Sequence, residues 1–194
     1  MRDPVLPFRR LLEVFGQLGI PYMIGGSLAS SVHGIPRTTN DIDLIAAVRP
    51  EHIRPLAAEL SGEFYVDPPE AIEEALRVQR MFNLIHFASS FKFDIYPLKP
   101  DTYSQTALAR RRKIRHSFDG RSFLEFDVES PEDVVLAKLM WYRSGGAVSE
   151  RQWADVLDVI RVQAERLDQT YLRHWAPGLK VADLLEEALQ TLLH

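Results

Sequence analysis

The sequence contains no cysteine, so disulfides, cysteine-ligated zinc and thiol catalysis are excluded at the outset. It also lacks any apolar run approaching the roughly 18 residues that a membrane-spanning helix needs. The first ten residues, Met1 to Arg10, hold no apolar core of the kind a signal peptide carries. These absences lead to the expectation of a soluble, cytoplasmic protein that does not engage a membrane. No charge of one sign dominates either: 23 Lys and Arg stand against 27 Asp and Glu, a formal net charge of −4. Any contact with nucleic acid must therefore come from a local patch rather than a global field. Internal repeats and low-complexity segments are missing too.

What remains is ordinary globular composition, with 46% apolar and 26% charged residues in a chain of 194. That length supports one substantial core with a smaller appended lobe. Apolar residues at Leu11, Leu12, Phe15 and Leu18 have helical spacing, and Gly19 ends that helix. A short strand Tyr22-Met23-Ile24 runs into Gly25-Gly26. Ser27 is placed to cap a short helix from Leu28 to His33, which Gly34 and Pro36 terminate. His33 reads as structural.

A second strand opens at Asp41. Successive strand side chains alternate faces, so Asp41 and Asp43 share one face while Ile42 and Leu44 share the other. A helix over 50–60 follows, then a strand or loop over 62–69 and a weak polar helix over 70–79. Met81 to Phe87 and Phe91 to Leu98 read as a hairpin. In its second arm, Phe91, Phe93 and Ile95 share one face and Lys92, Asp94 and Tyr96 the other. An aspartate between Phe93 and Ile95 is costly unless something binds it, which makes Asp94 the candidate third carboxylate. Asp119-Gly120 signals a second hairpin, and Ser130-Pro131-Glu132-Asp133 announces a helix through its cap, first-turn proline and acidic first turn. Strands and helices mix up to about residue 128, and only helices are expected beyond it. The expected division is a mixed domain over 1–128 and a helical lobe over 129–194.

Two consecutive glycines let backbone N–H groups approach a phosphate with no Cβ in the way, and the helix N-terminus behind them favours negative charge. Aspartates that share a face can hold a divalent cation. The order of these features is what matters: Gly25-Gly26-Ser27 at a strand-to-helix turn, then Asp41-Ile42-Asp43 beginning the next strand. This stretch, from Gly25 through Leu28-Ala29-Ser30-Ser31-Val32-His33-Gly34-Ile35-Pro36-Arg37-Thr38-Thr39-Asn40 to Leu44, resembles the signature of the nucleotidyltransferase superfamily. It is most similar to the AbiEii-type branch, the nucleotidyltransferase toxins of toxin–antitoxin systems. Lys138-Leu139 and Asp155-Val156-Leu157-Asp158 match a further pattern of that branch. The chain departs from it at Asn40, where a lysine is usual, and at Trp153-Ala154, where basic residues are usual.

The resemblance implies an α/β (α+β) fold, a nucleotidyltransferase-like mixed sheet with flanking helices and a C-terminal helical lobe. It implies transfer of a nucleoside monophosphate from a nucleoside triphosphate such as ATP to an RNA, notably tRNA, or to a protein, with an antitoxin as a further partner. Asp41, Asp43 and Asp94 would be the catalytic and metal-binding residues, with Mg²⁺ or Mn²⁺ as cofactor. Two such ions about 3.5–4 Å apart clamp attacking and leaving oxygens in reactions of this kind. Gly25, Gly26, Ser27, Arg37 and Lys138 would bind the nucleotide. Lys138 is otherwise a lysine snorkelling from a half-buried face. Arg37 is otherwise a carboxylate cap, and Asp155 and Asp158 are otherwise exposed helix charges or arginine partners. A small-molecule acceptor, as in aminoglycoside or lincosamide resistance enzymes, is the alternative, and a silent nucleotide-binding module is a third reading. The basic run Arg110 to Lys113 with Arg115 is either a solvated edge or a landing strip for an RNA backbone.

Overall fold

The computed structural model describes residues 5–39, 41–118, 120 and 122–191. They fold into two compact units, one of residues 1–24 and 39–128, the other of residues 25–38 and 129–194. Asn40, Asp119 and Arg121 lie outside the described residues.

The first unit is built on a seven-stranded mixed sheet. Its strands are β1 (Tyr22–Ile24), β2 (Asp41–Ala46), β3 (Phe64–Val66), β4 (Phe82–His86), β5 (Lys92–Pro97), β6 (Arg112–Ser117) and β7 (Phe123–Val128), in the order β3-β4-β5-β2-β1-β7-β6. β2 runs parallel to β5 and β1 parallel to β7, while the remaining neighbours are antiparallel. Helices α1 (Val5–Gln17), α3 (Pro50–Leu60), α4 (Pro69–Arg77) and α5 (Thr102–Arg110) belong to the same unit.

Alternation dictates what each face of the sheet presents. Ile42, Leu44, Phe93, Ile95 and Leu84 are completely buried, and they share one face. Phe8 of α1 packs there, its ring 6.0 Å from that of Phe93 and 5.2 Å from that of Phe126. Large aromatic rings so placed make this the anchor of the unit's core. The polar residues of β2 and β5 therefore fall on the opposite face. Asp101 caps α5, accepting from Ser104 N–H at 2.7 Å.

The second unit contains α2 (Gly26–His33), α6 (Pro131–Ser144), α7 (Glu150–Gln163), α8 (Gln169–Trp175) and α9 (Ala182–Thr191). The expected start of α6 is found: Ser130 is the N-cap, and its side chain accepts from Asp133 N–H. The helical segment is not confined to residues after 128, because α2 packs on α6 and α7 and belongs with them. The approach of α2 to α7 is close at Gly34, where a Cβ would sit 2.9 Å from Ser30 O and 3.1 Å from Val159 N. His33 is buried and its Nε2 lies 2.7 Å from the Glu129 carbonyl, so Nε2 carries the proton it donates.

One local expectation is corrected. Ser27 does not cap α2; Gly25 is the N-cap, without a side-chain hydrogen bond, and Ser27 lies inside the first turn. The reason is Gly26, which takes φ +58 and turns the chain into the helix before Ser27 is reached.

Candidate active site

In the sheet unit, the parallel pairing of β2 with β5 sets Asp43 opposite Asp94 and Asp41 opposite Lys92. Register partners on adjacent strands point to the same face about 4.8 Å apart, and residues two apart along one strand share that face. Asp41, Asp43 and Asp94 are therefore gathered on one face, together with Lys92 and Tyr96. The antiparallel pairing of β4 with β5 adds Asn83 opposite Asp94.

Asp94 is the most buried of the three acids, 6% exposed, whereas Asp41 and Asp43 are half-buried. The Lys92 ammonium hydrogen-bonds Asp94 Oδ2 at 2.9 Å. It stands 2.9 Å from Oδ1 as well, but without hydrogen-bonding geometry, and Oδ1 is a buried acceptor with no hydrogen-bond partner. Asn83 Oδ1 is a second buried acceptor in that condition. Thr39 donates to Asp41 Oδ1 at 2.9 Å. The Tyr96 phenol is pushed up to about 12, first by burial and then by the charges of Asp43, Asp94 and Asp41. The tyrosine thus registers all three carboxylates electrostatically.

Among the described residues, no group of three or more acids or histidines is drawn close enough to hold a metal ion as it stands. The donor chemistry nevertheless fits one. The set is oxygen only, which suits Mg²⁺ or Mn²⁺, and Asp94 Oδ1, though beside the Lys92 ammonium, keeps an acceptor position with no hydrogen bond.

In the helical unit, a second constellation centres on Asp155. Arg37 makes a forked pair with it, Nε to Oδ1 at 3.0 Å and Nη2 to Oδ2 at 2.7 Å. Lys138 donates to Oδ2 at 2.7 Å. Arg37 Nη2 also donates to Ser27 Oγ at 2.9 Å, tying the side chain of the glycine turn into this group. Ser31 helps to seat the arginine by accepting from the Arg37 backbone N–H at 3.4 Å. Burial pushes the Asp155 carboxyl upward, but the hydrogen bonds and charges of Arg37 and Lys138 outweigh it and leave the group below its ordinary value. Lys138 is buried, so it does not snorkel to solvent. Asp158 pairs instead with Arg161 in its own helix at 3.2 Å.

Of the residues singled out in the sequence, Asp41, Asp43 and Asp94 stand together in the sheet unit. Gly25, Gly26, Ser27, Arg37 and Lys138 belong to the helical unit, where Ser27, Arg37 and Lys138 are linked through Asp155. Lys92, Asn83 and Tyr96 had no assigned role. For Lys92 and Tyr96 the signal was present, since both alternate onto the face of Asp94. For Asn83 it was not, because its place beside Asp94 depends on hairpin register.

The basic run also has a defined place. Arg111 pairs with Asp127 at 3.0 Å. Along β6 and β7, Lys113 stands opposite Asp127 and Arg115 opposite Glu125, while Arg115 lies over the Phe123 ring at 4.4 Å. Among the described residues, no helix is long and apolar enough to cross a membrane.

No family model matches the chain, and no curated protein does. Solved structures do. ANT(2'')-Ia in complex with adenylyl-2''-tobramycin superposes with a TM-score of 0.52 at 15% identity, covering 91% of this chain and 96% of that one. An antigenic nucleotidyltransferase-like protein from Paracoccidioides brasiliensis gives a TM-score of 0.52 at 16% identity, covering 94% and 91%. The lincosamide antibiotic adenylyltransferase LnuA, lincomycin-bound, gives 0.46 at 14% identity, covering 80% and 95%. The α/β architecture of this chain, a mixed sheet with flanking helices, is the fold of nucleotidyltransferases.

Proposed function

We propose that this protein is a metal-dependent nucleotidyltransferase, moving a nucleoside monophosphate from a nucleoside triphosphate to an acceptor. One observation carries the reading: Asp43 and Asp94 stand in register on β2 and β5, with Asp41 on the same face. Like charges so gathered repel one another unless a cation intervenes. Asp41, Asp43 and Asp94 would hold Mg²⁺ or Mn²⁺, which when bound supplies charge stabilisation to phosphoryl oxygens. Asp94 is the carboxylate suited to orient the acceptor hydroxyl and take its proton. The N–H groups at Gly25-Gly26 and the cations Arg37 and Lys138 are suited to the triphosphate, with Asp155 holding those cations in place.

For the acceptor, the resemblance to AbiEii-type toxins points to RNA, notably tRNA, or a protein, with an antitoxin as regulator. The register of Lys113 and Arg115 opposite Asp127 and Glu125 favours a small-molecule acceptor instead, because acids interleaved with the basic run weaken the local positive field that an RNA backbone would need. The adenylyl-2''-tobramycin in complex with ANT(2'')-Ia is an adenylylated small molecule of that class.

The test is transfer of label from each α-labelled nucleoside triphosphate, with Mg²⁺, to total tRNA, to cell protein or to aminoglycosides. The expected result is labelled acceptor in one arm, abolished by EDTA and by Asp43→Asn. Label in no arm, with nucleotide still bound, would overturn the transferase reading. Mg²⁺ is also expected to raise the melting temperature of the wild type.

A further inference from the structure

Lys92 has no part in the chemistry outlined so far, yet it occupies the carboxylate face. It stands opposite Asp41 in the β2–β5 register and two residues before Asp94 on the same side of its strand. Its ammonium lies 2.9 Å from both oxygens of Asp94, satisfying Oδ2 but leaving Oδ1 without a hydrogen bond. The two partners differ in freedom. The Asp94 side chain is 8% exposed and fixed in mid-strand, whereas that of Lys92 is 39% exposed on a flexible four-carbon stem. The acid stays in place while the ammonium is able to swing outward.

We infer that Lys92 is a resident counter-cation of the carboxylate face, which a divalent ion must displace from Asp94. The inference rests on the metal-binding reading proposed above. An ammonium and a divalent ion both neutralise Asp94, but they cannot share its oxygens at contact distance, since like charges repel. The ammonium offers Asp94 one good hydrogen bond, whereas a divalent ion needs several oxygens at about 2.0–2.6 Å. Lys92 therefore lowers the strain of the metal-free acids and, by the same contact, weakens metal binding. Once displaced, its ammonium remains on the face that bears the metal, where an incoming phosphate supplies a new partner. Metal and nucleotide then bind cooperatively, because the phosphate takes over the cation that the metal expels.

Mn²⁺ binding by calorimetry, without nucleotide, tests the idea on the wild type, Lys92→Met and Lys92→Arg. Lys92→Met is expected to bind Mn²⁺ about tenfold more tightly than the wild type, the scale of one competing hydrogen bond to a charged group. Lys92→Arg keeps the positive charge and is expected to match the wild type. Should Lys92→Met bind no more tightly than the wild type, or Lys92→Arg tighten equally, the counter-cation role is overturned while the metal site stands. If no variant and no wild type binds Mn²⁺ at millimolar concentration, the metal-binding reading falls and this inference with it. Lys92→Gln replaces Lys92→Met if circular dichroism shows the latter unfolded, with the same expected tightening.

Discussion

Asp43 and Asp94 are register partners on parallel strands, although two helices and two strands separate β2 from β5 along the chain. Neither is paired with the other by chemistry, since two carboxylates repel. Their closeness is imposed by the apolar faces beneath them, where Ile42, Leu44, Phe93 and Ile95 are completely buried. The sheet thus holds together what electrostatics would push apart.

Replacing one of the pair should show that opposition directly. Asp43→Asn is expected to raise the melting temperature in EDTA, or leave it unchanged, whereas Asp94→Asn also loses the ion pair with Lys92 and should gain nothing. Each should shrink the rise that Mg²⁺ produces. Nucleotidyl transfer should fall roughly 100-fold or more, the scale seen when a charge-stabilising group is removed from a water-poor site. Differential scanning fluorimetry with and without Mg²⁺ reads the first effect, and single-turnover label transfer the second.

The Asp155 group should be strongly coupled. Asp155→Ala leaves Arg37 and Lys138 without their shared carboxylate, and a loss of about 3–5 kcal/mol in urea denaturation is expected. The double variant Lys138→Met with Asp155→Leu, which removes a charge of each sign, should lose less than Asp155→Ala alone. Equal or greater loss in the double variant would show that packing rather than charge pairing dominates there.

Acid should act on the same carboxylate. Because the folded protein holds the Asp155 carboxyl below its ordinary value of 3.8, the unfolded chain takes up its proton first as pH falls. The contribution of Asp155 is present above that ordinary value and is lost as pH falls through the lower folded one. Over that interval the slope of stability against pH should be shallower for Asp155→Asn than for the wild type, as urea midpoints at successive pH values would show.

Much of this was readable from the residues alone, where local physics decides. The cap and acidic first turn at Ser130 to Asp133 specify a helix start whatever surrounds them. The alternation of Asp41 to Leu44 and of Lys92 to Tyr96 assigns faces with equal economy, so the three aspartates were legible as a group on one side of their strands. Register was not, because strand order is settled by packing between distant segments. For Asn83 the gap is local: alternation assigns a face within β4, but the β4–β5 hairpin register decides that it stands beside Asp94. The snorkelling alternative for Lys138 falls because its buried partner, Asp155, lies on the next helix, a pairing that spacing within one helix does not reveal. The cap falls at Gly25, two positions before Ser27, because Gly26 already takes a positive φ and turns the chain into the helix.

Close packing gives a further measurement. A methyl group at position 34 would press on the Ser30 carbonyl at 2.9 Å and on the backbone of α7 at 3.1 and 3.2 Å, none of which can rotate aside. Gly34→Ala is therefore expected to cost about 1–3 kcal/mol, the usual penalty of overpacking. Thermal denaturation should show it, with no change in the ordinary φ of −119 to blame.

The excursion of residues 25–38 also sets a timetable for folding during synthesis. α2 leaves the ribosome roughly 100 residues before α6 and α7, the helices it packs against. At about 5–20 residues per second, its apolar side waits on the order of 5–20 seconds for a partner. The strands on either side of it, β1 and β2, are meanwhile free to pair. The nascent chain must carry an unsatisfied helix between two finished strands, a stage at which a chaperone or premature termination would find Leu28 and Ala29 uncovered.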